Sequence, residues 1–125
     1  FIHIFNHKEH SYPYEVRGDS DWMSKYFFTG GIMPSADSFD FFNDDFSVSK
    51  YWKVDGKHYA KTCRHWLQNH YANKRKIIDL FNAHYDDANK WYQRWRLFFL
   101  ACEMLFSHDQ GNEWFVSHYL LEQNK

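Results

Sequence analysis

Three short stretches of the chain predict β-strands, and apolar and polar residues alternate in two of them. Residues 1–6 alternate only weakly, which is typical of a short buried strand. Residues 46–54 alternate more clearly, and the turn-forming pair Asp55-Gly56 ends them. Residues 113–122 form the third predicted strand.

Two long stretches with helical periodicity separate the second strand from the third. They cover about residues 57–84 and about residues 87–107. Asp86 and Asp87 lie at the boundary and supply a cap and negative charge for the second helix. Gly111 follows the end of that helix. Its large apolar residues recur at steps of three and four and share one face: Trp91, Trp95, Phe98, Cys102 and Leu105.

A polar loop and two short helices are predicted between the first two strands. The loop covers residues 7–20, which contain several charges and few apolar residues. The first short helix covers residues 21–28, with Asp19 or Ser20 as its cap. The second covers residues 36–43.

A double glycine closed by proline predicts a turn between these two helices. Glycine accepts a positive φ and proline fixes its own φ, so Gly30-Gly31 and Pro34 form a strong turn signal. The aromatic residues 26–28 run directly into the turn, which indicates an apolar surface beside an approachable backbone. Ser35 follows as the candidate cap of the second short helix.

The order of elements indicates an α/β fold. Strands that alternate with helices typically form a sheet covered by those helices. A length of 125 residues allows one domain. Three strands cannot form a complete doubly wound sheet, so we expect another half of the same domain to be absent. The chain also has 13 Phe, 9 Tyr and 6 Trp, an apolar surplus that would face the missing half, a ligand, or both.

Charge and cysteine content exclude several classes of protein. The chain carries 15 basic and 16 acidic residues and no basic stripe, which argues against a nucleic-acid-binding protein. It shows no charged n-region and no run of about 18 apolar residues, so neither a signal peptide nor a transmembrane segment is predicted. Cys63 and Cys102 are too few for a disulfide framework, which favours a cytoplasmic protein. His3, His7 and His10 lack a fixed ligand geometry, so no metal site is predicted.

The chain resembles the cyclopropane fatty acid synthase and coclaurine N-methyltransferase-like family of S-adenosylmethionine-dependent methyltransferases. The resemblance depends on the order and spacing of short runs along nearly the whole chain. These runs are Phe1-Ile2-His3-Ile4-Phe5, His7-Lys8, residues 22–26, Gly30-Gly31-Ile32-Met33-Pro34-Ser35, Trp52, Gly56-Lys57-His58-Tyr59-Ala60-Lys61-Thr62, Trp66-Leu67, Trp95-Arg96, Phe98-Phe99, Glu103, Leu105-Phe106, Glu113-Trp114 and Val116-Ser117-His118-Tyr119-Leu120.

The resemblance implies the C-terminal part of a class I, Rossmann-like methyltransferase fold, from its fifth strand onward. Residues 1–125 would then be about three strands and the long helices of a single domain. The family's glycine-rich cofactor loop, its acidic ribose ligand and its Glu-Xaa-Xaa-Glu-His stretch would lie in the missing N-terminal half. We therefore expect no cofactor-binding residues in this segment, with S-adenosylmethionine bound mainly by that half.

The resemblance assigns catalytic roles to His3 and Tyr59. In the cyclopropane synthases, the matching residues help to hold a bicarbonate ion that accepts a proton. A histidine at the end of a strand suits this task because it exchanges a proton near neutral pH, and a tyrosine can donate a hydrogen bond. The alternative is that His3 is satisfied by the backbone and that Tyr59 is a half-buried structural residue.

Six aromatic residues are assigned to the acceptor pocket by the same resemblance. Aromatic rings shield an acyl chain and attract an ammonium or sulfonium charge. Ordinary core packing is the alternative, because an aromatic stripe at helical spacing is usually part of a core. Glu103, inside an apolar run, is predicted to have a structural partner such as Arg94 or Arg96. The six pocket residues are Phe5, Tyr26, Phe27, Phe28, Trp95 and Phe98.

The implied function is methyl transfer from S-adenosylmethionine to a small amine nitrogen or to an alkene carbon of a lipid. The acceptor is expected to be a small-molecule amine or a lipid, with bicarbonate required only by a cyclopropane synthase. The 125-residue piece alone would be inactive. The alternative from another class is a stand-alone, aromatic-rich module that binds a hydrophobic ligand or a partner without catalysis.

Overall fold

Five strands and four helices make up the computed structural model, which describes residues 1–124. The strands are β1 (Ile2–His7), β2 (Tyr12–Pro13), β3 (Ile32–Met33), β4 (Phe46–Val54) and β5 (Trp114–Gln123). The helices are α1 (Trp22–Tyr26), α2 (Gly56–Ala72), α3 (Lys74–Asn82) and α4 (Ala88–Ser107). Two turns of 3₁₀ helix cover Ser38–Phe41 and His108–Gly111. The α/β class and the three long strands agree with the sequence-based prediction.

The last strand lies in the middle of a three-stranded sheet, in the order β1-β5-β4. Both pairings are antiparallel. The register places His3 directly opposite His118, which in turn lies opposite Trp52 on the other neighbouring strand. The pairing of β4 with β5 has one irregularity, between Val48 and Lys50.

The predicted helix over residues 57–84 is divided into two helices at Asn73. This residue has φ −108° and ψ 20°, which do not continue the helix. Its side-chain amide donates a hydrogen bond to the Asn69 carbonyl oxygen, 2.9 Å away. Asparagine competes for backbone groups in this way, which explains the break.

The predicted cap of the last helix is confirmed. The Asp87 carboxylate accepts a hydrogen bond from the Lys90 backbone N–H at 2.9 Å. After that helix the chain turns sharply, with positive φ at Asp109 and Gln110 and then at Gly111. A side chain at Gly111 would meet an Asp55 carboxylate oxygen at 2.1 Å, so the close approach requires glycine.

The connection between the first two long strands differs from its prediction in three places. The first short helix begins after Asp21. The Asp21 carboxylate accepts the backbone N–H groups of Arg17 and Gly18 and makes no capping hydrogen bond to the helix. The second is a single 3₁₀ turn that begins after Asp37, so the prediction of Ser35 as its cap was wrong. The Ser35 hydroxyl bonds instead to the Ser38 hydroxyl at 3.0 Å. Part of the predicted polar loop forms β2, which pairs with β3.

The core lies where α2 and α4 cross the sheet. Its fully buried members are small or aromatic and come from both helices: Ala60, Cys63, Cys102 and Phe106. The two thiols are free and buried. Tyr59, Phe5 and Phe98 pack against this cluster while remaining partly exposed. Within residues 1–124, no helix combines the length and the apolar character needed to span a bilayer.

A polar cluster at the end of β1 ties the start of the chain to β5. His7 is 5% exposed, and its Nδ1 accepts the backbone N–H groups of Glu9 and His10 at 3.0 and 2.8 Å. The proton of a neutral His7 ring therefore lies on Nε2, which donates to a Glu113 carboxylate oxygen at 3.0 Å. The Lys8 ammonium contacts the other oxygen at 2.7 Å. The hydrogen bond from Lys8, and to a smaller extent the one from His7, hold the pKa of Glu113 below its usual value.

We expect Glu113→Gln to lower the free energy of unfolding at neutral pH. Because the folded-state pKa of Glu113 is depressed, its contribution is present above the ordinary pKa of 4.5 and is lost as the pH falls below it. Urea unfolding at several pH values measures this difference. Glu122→Gln, an exposed change on the same strand, is the control. Equal stability profiles for the two variants would contradict the assignment.

Candidate functional site

A cavity of about 590 Å³ opens between the sheet and the start of α2. We call it the His3 cavity. The strands β1, β4 and β5 and the helix α2 all contribute to its lining, which is mostly apolar with a few polar groups. Its lining includes six side chains with aromatic or imidazole rings, which belong to His3, Phe5, His58, Tyr59, Trp66 and His118.

A second cavity, of about 270 Å³, lies on the other side of Phe5 and Tyr59. We call it the aromatic cavity. Phe5 and Tyr59 line both cavities and so form the wall between them. The other aromatic residues of the lining come from α1, from α4 and from the connection between the first two long strands: Tyr12, Tyr14, Trp22, Phe28, Phe98 and Phe106. Two adjoining apolar cavities of this kind suit a small ligand with aromatic or aliphatic parts.

Local backbone geometry brings His3, Phe5 and Tyr59 together. His3 and Phe5 are two residues apart on a strand and therefore face the same side of the sheet. Tyr59 lies in the first turn of α2, which begins at Gly56. A side chain at Gly56 would lie 2.2 Å from the Trp114 carbonyl oxygen, so glycine lets the helix start directly against β5. The predicted catalytic pair thus lines one cavity.

His3 is hydrogen-bonded to His118, a residue to which sequence reasoning assigned no role in the site. Nδ1 of His3 lies 2.7 Å from Nε2 of His118, and the ring centroids are 4.7 Å apart. Among residues 1–124, the other ring nitrogen of His3 has no hydrogen-bond partner. The sequence alone carries no signal for this pair, because it depends on the register of two strands at opposite ends of the chain.

Tyr59 lines both cavities and keeps its hydroxyl protonated. Burial raises its pKa above the usual value, so the phenol stays neutral and acts as a hydrogen-bond donor. Its ring packs on Phe106 with centroids 4.5 Å apart and meets Trp66 edge-on at 5.8 Å. In the described part of the chain, the hydroxyl has no hydrogen-bond partner. Packing therefore fixes the Tyr59 ring and leaves its hydroxyl free to donate a hydrogen bond to a ligand or to water.

The remaining predicted pocket residues divide into two groups. Phe28 and Phe98 line the aromatic cavity. Phe27 and Trp95 form the layer behind them, since Phe27 stacks on Phe98 at 4.5 Å and meets Trp95 edge-on at 5.0 Å. Tyr26 lies further out, with the Arg94 guanidinium 3.7 Å above its ring. The structure thus places Tyr26, Phe27 and Trp95 outside the lining of both cavities.

The predicted partners of Glu103 were wrong. Its carboxylate binds Arg64 on α2, with Nε 2.7 Å away. Arg94 covers Tyr26 instead, and Arg96 donates to the Tyr71 hydroxyl at 3.0 Å. The periodicity of one helix cannot reveal a partner on another helix. Glu103 therefore joins α4 to α2, which agrees with a structural role.

The described residues do not fit the polar part of S-adenosylmethionine. No carboxylate lines the His3 cavity among residues 1–124, although ribose hydroxyls are commonly held by one. In the aromatic cavity, Oδ2 of the Asp21 carboxylate accepts two backbone N–H groups, which ties this side chain to the loop before α1. The close approaches at Gly56 and Gly111 serve packing between elements of the chain itself. No group of three His, Cys, Asp or Glu side chains in the described residues is arranged to hold a metal ion.

Comparison with known proteins identifies relatives along almost the whole chain. The model of the mycolic acid cyclopropane synthetase family matches residues 1–115. An (S)-coclaurine N-methyltransferase of Thalictrum flavum subsp. glaucum is 35% identical over 129 residues, which cover 98% of this chain and 36% of that protein. A pavine N-methyltransferase of the same plant is 30% identical, again over 98% of this chain and 36% of the relative. The chain therefore spans about a third of the length of these curated relatives.

A solved structure shows the same fold. It is a crystal structure of coclaurine N-methyltransferase bound to N-methylheliamine and SAH. The superposition has a TM-score of 0.82 at 36% sequence identity, and it covers 96% of this chain and 38% of that one. The agreement confirms the predicted methyltransferase fold for this segment.

We expect Tyr59→Phe to leave the free energy of unfolding nearly unchanged, because the lost hydroxyl has no partner in the described residues. Tyr119→Phe is the matched comparison. Its hydroxyl donates to the Ala36 carbonyl oxygen at 2.7 Å, and the variant should lose about 0.5–1.5 kcal/mol. Chemical unfolding of both variants tests this difference. An equal loss in the two proteins would show that Tyr59 is held by a structural hydrogen bond.

Proposed function

Since the chain belongs to the mycolic acid cyclopropane synthetase family, we propose that the protein containing it transfers a methyl group from S-adenosylmethionine to the nitrogen of a small amine. The relatives named above are N-methyltransferases, and one of them binds N-methylheliamine. Their substrates support the amine as acceptor over the lipid alkene. Bicarbonate belongs to the cyclopropane reaction and is not needed for this proposal.

The convergence of His3, Phe5 and Tyr59 on one apolar cavity carries the proposal. An amine attacks a methyl group only through a free electron pair, so a protonated acceptor must first lose a proton. His3 offers a ring nitrogen without a protein partner in the described residues, and a neutral imidazole nitrogen is a base that can accept that proton. Tyr59 remains protonated and can donate a hydrogen bond to the acceptor or to a water beside it.

The aromatic walls would orient the acceptor and exclude water. Phe5 and Tyr59 separate the two cavities, so an acceptor with an aromatic part could place that part against Phe28 and Phe98. Aromatic faces also attract a cationic nitrogen, by about 0.5–2 kcal/mol depending on desolvation. Holding the nitrogen in one orientation is a major source of rate enhancement in bimolecular reactions.

The segment would form the C-terminal part of one methyltransferase domain and provide the acceptor side of its site. The cofactor would be bound chiefly by residues outside this segment, because the described residues do not fit its polar part. The alternative of a stand-alone binding module predicts ligand binding with no turnover. Assays of the full-length protein therefore distinguish the two.

We expect His3→Ala and Tyr59→Phe to lower turnover far more than stability. Loss of one positioned acid–base group typically costs roughly 10²–10⁴-fold in rate. The assay uses the full-length protein with heliamine, the amine from which N-methylation gives N-methylheliamine, and thermal melts accompany it. His65→Ala, an exposed residue of α2 outside both cavities, is the control. Turnover within a factor of a few of the control for both variants would remove these residues from the site.

We also expect the 125-residue chain alone to have no measurable affinity for S-adenosylmethionine. The described residues offer no free carboxylate in the His3 cavity and no glycine-rich loop for the cofactor. Isothermal titration should show no binding heat for this chain and a clear transition for the full-length protein. Micromolar binding by the 125 residues would show that the cofactor site lies within them.

A further inference from the structure

We infer that His118 is a positioning residue for His3. It would accept a hydrogen bond from Nδ1 of His3 and thereby keep Nε2 of His3 free to take the proton from the acceptor nitrogen. The inference rests on the proposed function, because it assigns a partner to the proton-accepting group of that site. Neither the family resemblance nor the predicted site residues gave His118 a role.

The short distance between Nδ1 of His3 and Nε2 of His118 indicates a hydrogen bond between the two rings. Two nitrogens 2.7 Å apart form a hydrogen bond only when one carries the proton and the other offers a lone pair. With a hydrogen on both facing nitrogens, neither would offer a lone pair and the hydrogen bond would be lost. The pair is held by the backbone, since His3 and His118 are direct partners in the β1–β5 register. Phe1 supports the His118 ring edge-on, with centroids 5.4 Å apart.

In the proposed arrangement, Nδ1 of His3 is the donor of the pair and Nε2 of His3 keeps the lone pair. A neutral imidazole has one N–H and one lone pair, and the partner of one nitrogen decides which is which. No carboxylate lines this cavity among residues 1–124, and its other titratable groups are His58 and Tyr59 from α2. On β4, Lys53 is directed to the opposite face, with its ammonium 4.3 Å above the Phe115 ring. Among residues 1–124, the cavity lining therefore offers His3 no carboxylate partner that would compete with His118.

The proton step balances within the pair and the acceptor. An N–H bond of the acceptor breaks, its electron pair stays on that nitrogen, and the proton bonds to Nε2 of His3. His3 becomes positive, and its Nδ1–H then donates a stronger, charge-assisted hydrogen bond to Nε2 of His118. That bond stabilises the protonated ring at the moment it forms. Transfer of the Nδ1 proton from His3 to Nε2 of His118 would move the positive charge from the His3 ring to the His118 ring, farther from the acceptor.

The experiment compares two substitutions in the full-length protein. His118→Phe keeps a flat ring and removes the acceptor, whereas His118→Gln offers a side-chain carbonyl oxygen that can accept from His3. His65→Phe, on the exposed side of α2, is the control. The first readout is the tautomer of His3 by nitrogen-15 NMR of histidine-labelled protein without added ligand. The second is kcat and KM with heliamine.

We expect wild-type His3 to carry its proton on Nδ1 and to lose that preference in His118→Phe. The kcat of His118→Phe should fall by about 10–100-fold, as for other residues that orient a functional histidine. KM should change little, and His118→Gln should recover most of the lost kcat. A purely structural role for His118 would leave the tautomer unchanged and would lower activity only in proportion to folded protein.

Each other outcome overturns a definite part of the account. Wild-type His3 with its proton on Nε2, or an unchanged tautomer and kcat in His118→Phe, would overturn the role of His118. If His3→Ala lowers turnover while His118→Phe does not, only this inference fails. If His3→Ala has no effect, the proposed site and the inference fail together. Should His118→Phe not fold, the wild-type tautomer and the His118→Gln kinetics still decide.

Discussion

The antiparallel pairing of β1 with β5 is the constraint on which the rest of the structure depends. It joins residues near the two ends of the chain, and its register places His3 beside His118. The same pairing brings His7 and Lys8 to Glu113, whose carboxylate accepts a hydrogen bond from His7 and forms an ion pair with Lys8. Because side chains alternate across a strand, a shift by one residue would move every one of these groups to the wrong face. The cavity and its polar pair therefore exist only in this register.

A second close approach positions the helical wall of the site. Gly56 and Gly111 let the start of α2 pack directly against β5 and the end of α4, where a larger side chain would overlap backbone atoms. The Asp55 carboxylate caps the helix by accepting the Lys57 N–H at 2.8 Å. Tyr59 follows one turn later, against Phe106 in the core. A rigid scaffold thus holds a tyrosine whose hydroxyl has no hydrogen-bond partner among the described residues.

Most of the long elements could be predicted from the sequence, because each depends on local signals. Alternation predicted β4, a run rich in apolar residues after Gly111 predicted β5, and Asp87 marked the start of α4. The break at Asn73 was missed, since one asparagine inside a periodic stretch is a weak signal that packing can override. The pairing of β2 with β3 was missed because each has only two residues.

The candidate site shows the same limit. His3, Phe5 and Tyr59 were proposed from the resemblance, and the structure brings them to one cavity. His118 could not be found, because its position depends on a strand register, and Arg64 could not be matched to Glu103 across two helices. Contacts between distant segments follow from the assembled fold, which local patterns do not encode.

The most direct test of the account is a crystal structure of the full-length protein with heliamine and S-adenosylhomocysteine. The account predicts an acceptor nitrogen in the His3 cavity, within about 2.6–3.2 Å of Nε2 of His3 or joined to it by one water. Its aromatic part should contact Phe5 or Tyr59. An acceptor bound with all its atoms outside this cavity would contradict the account.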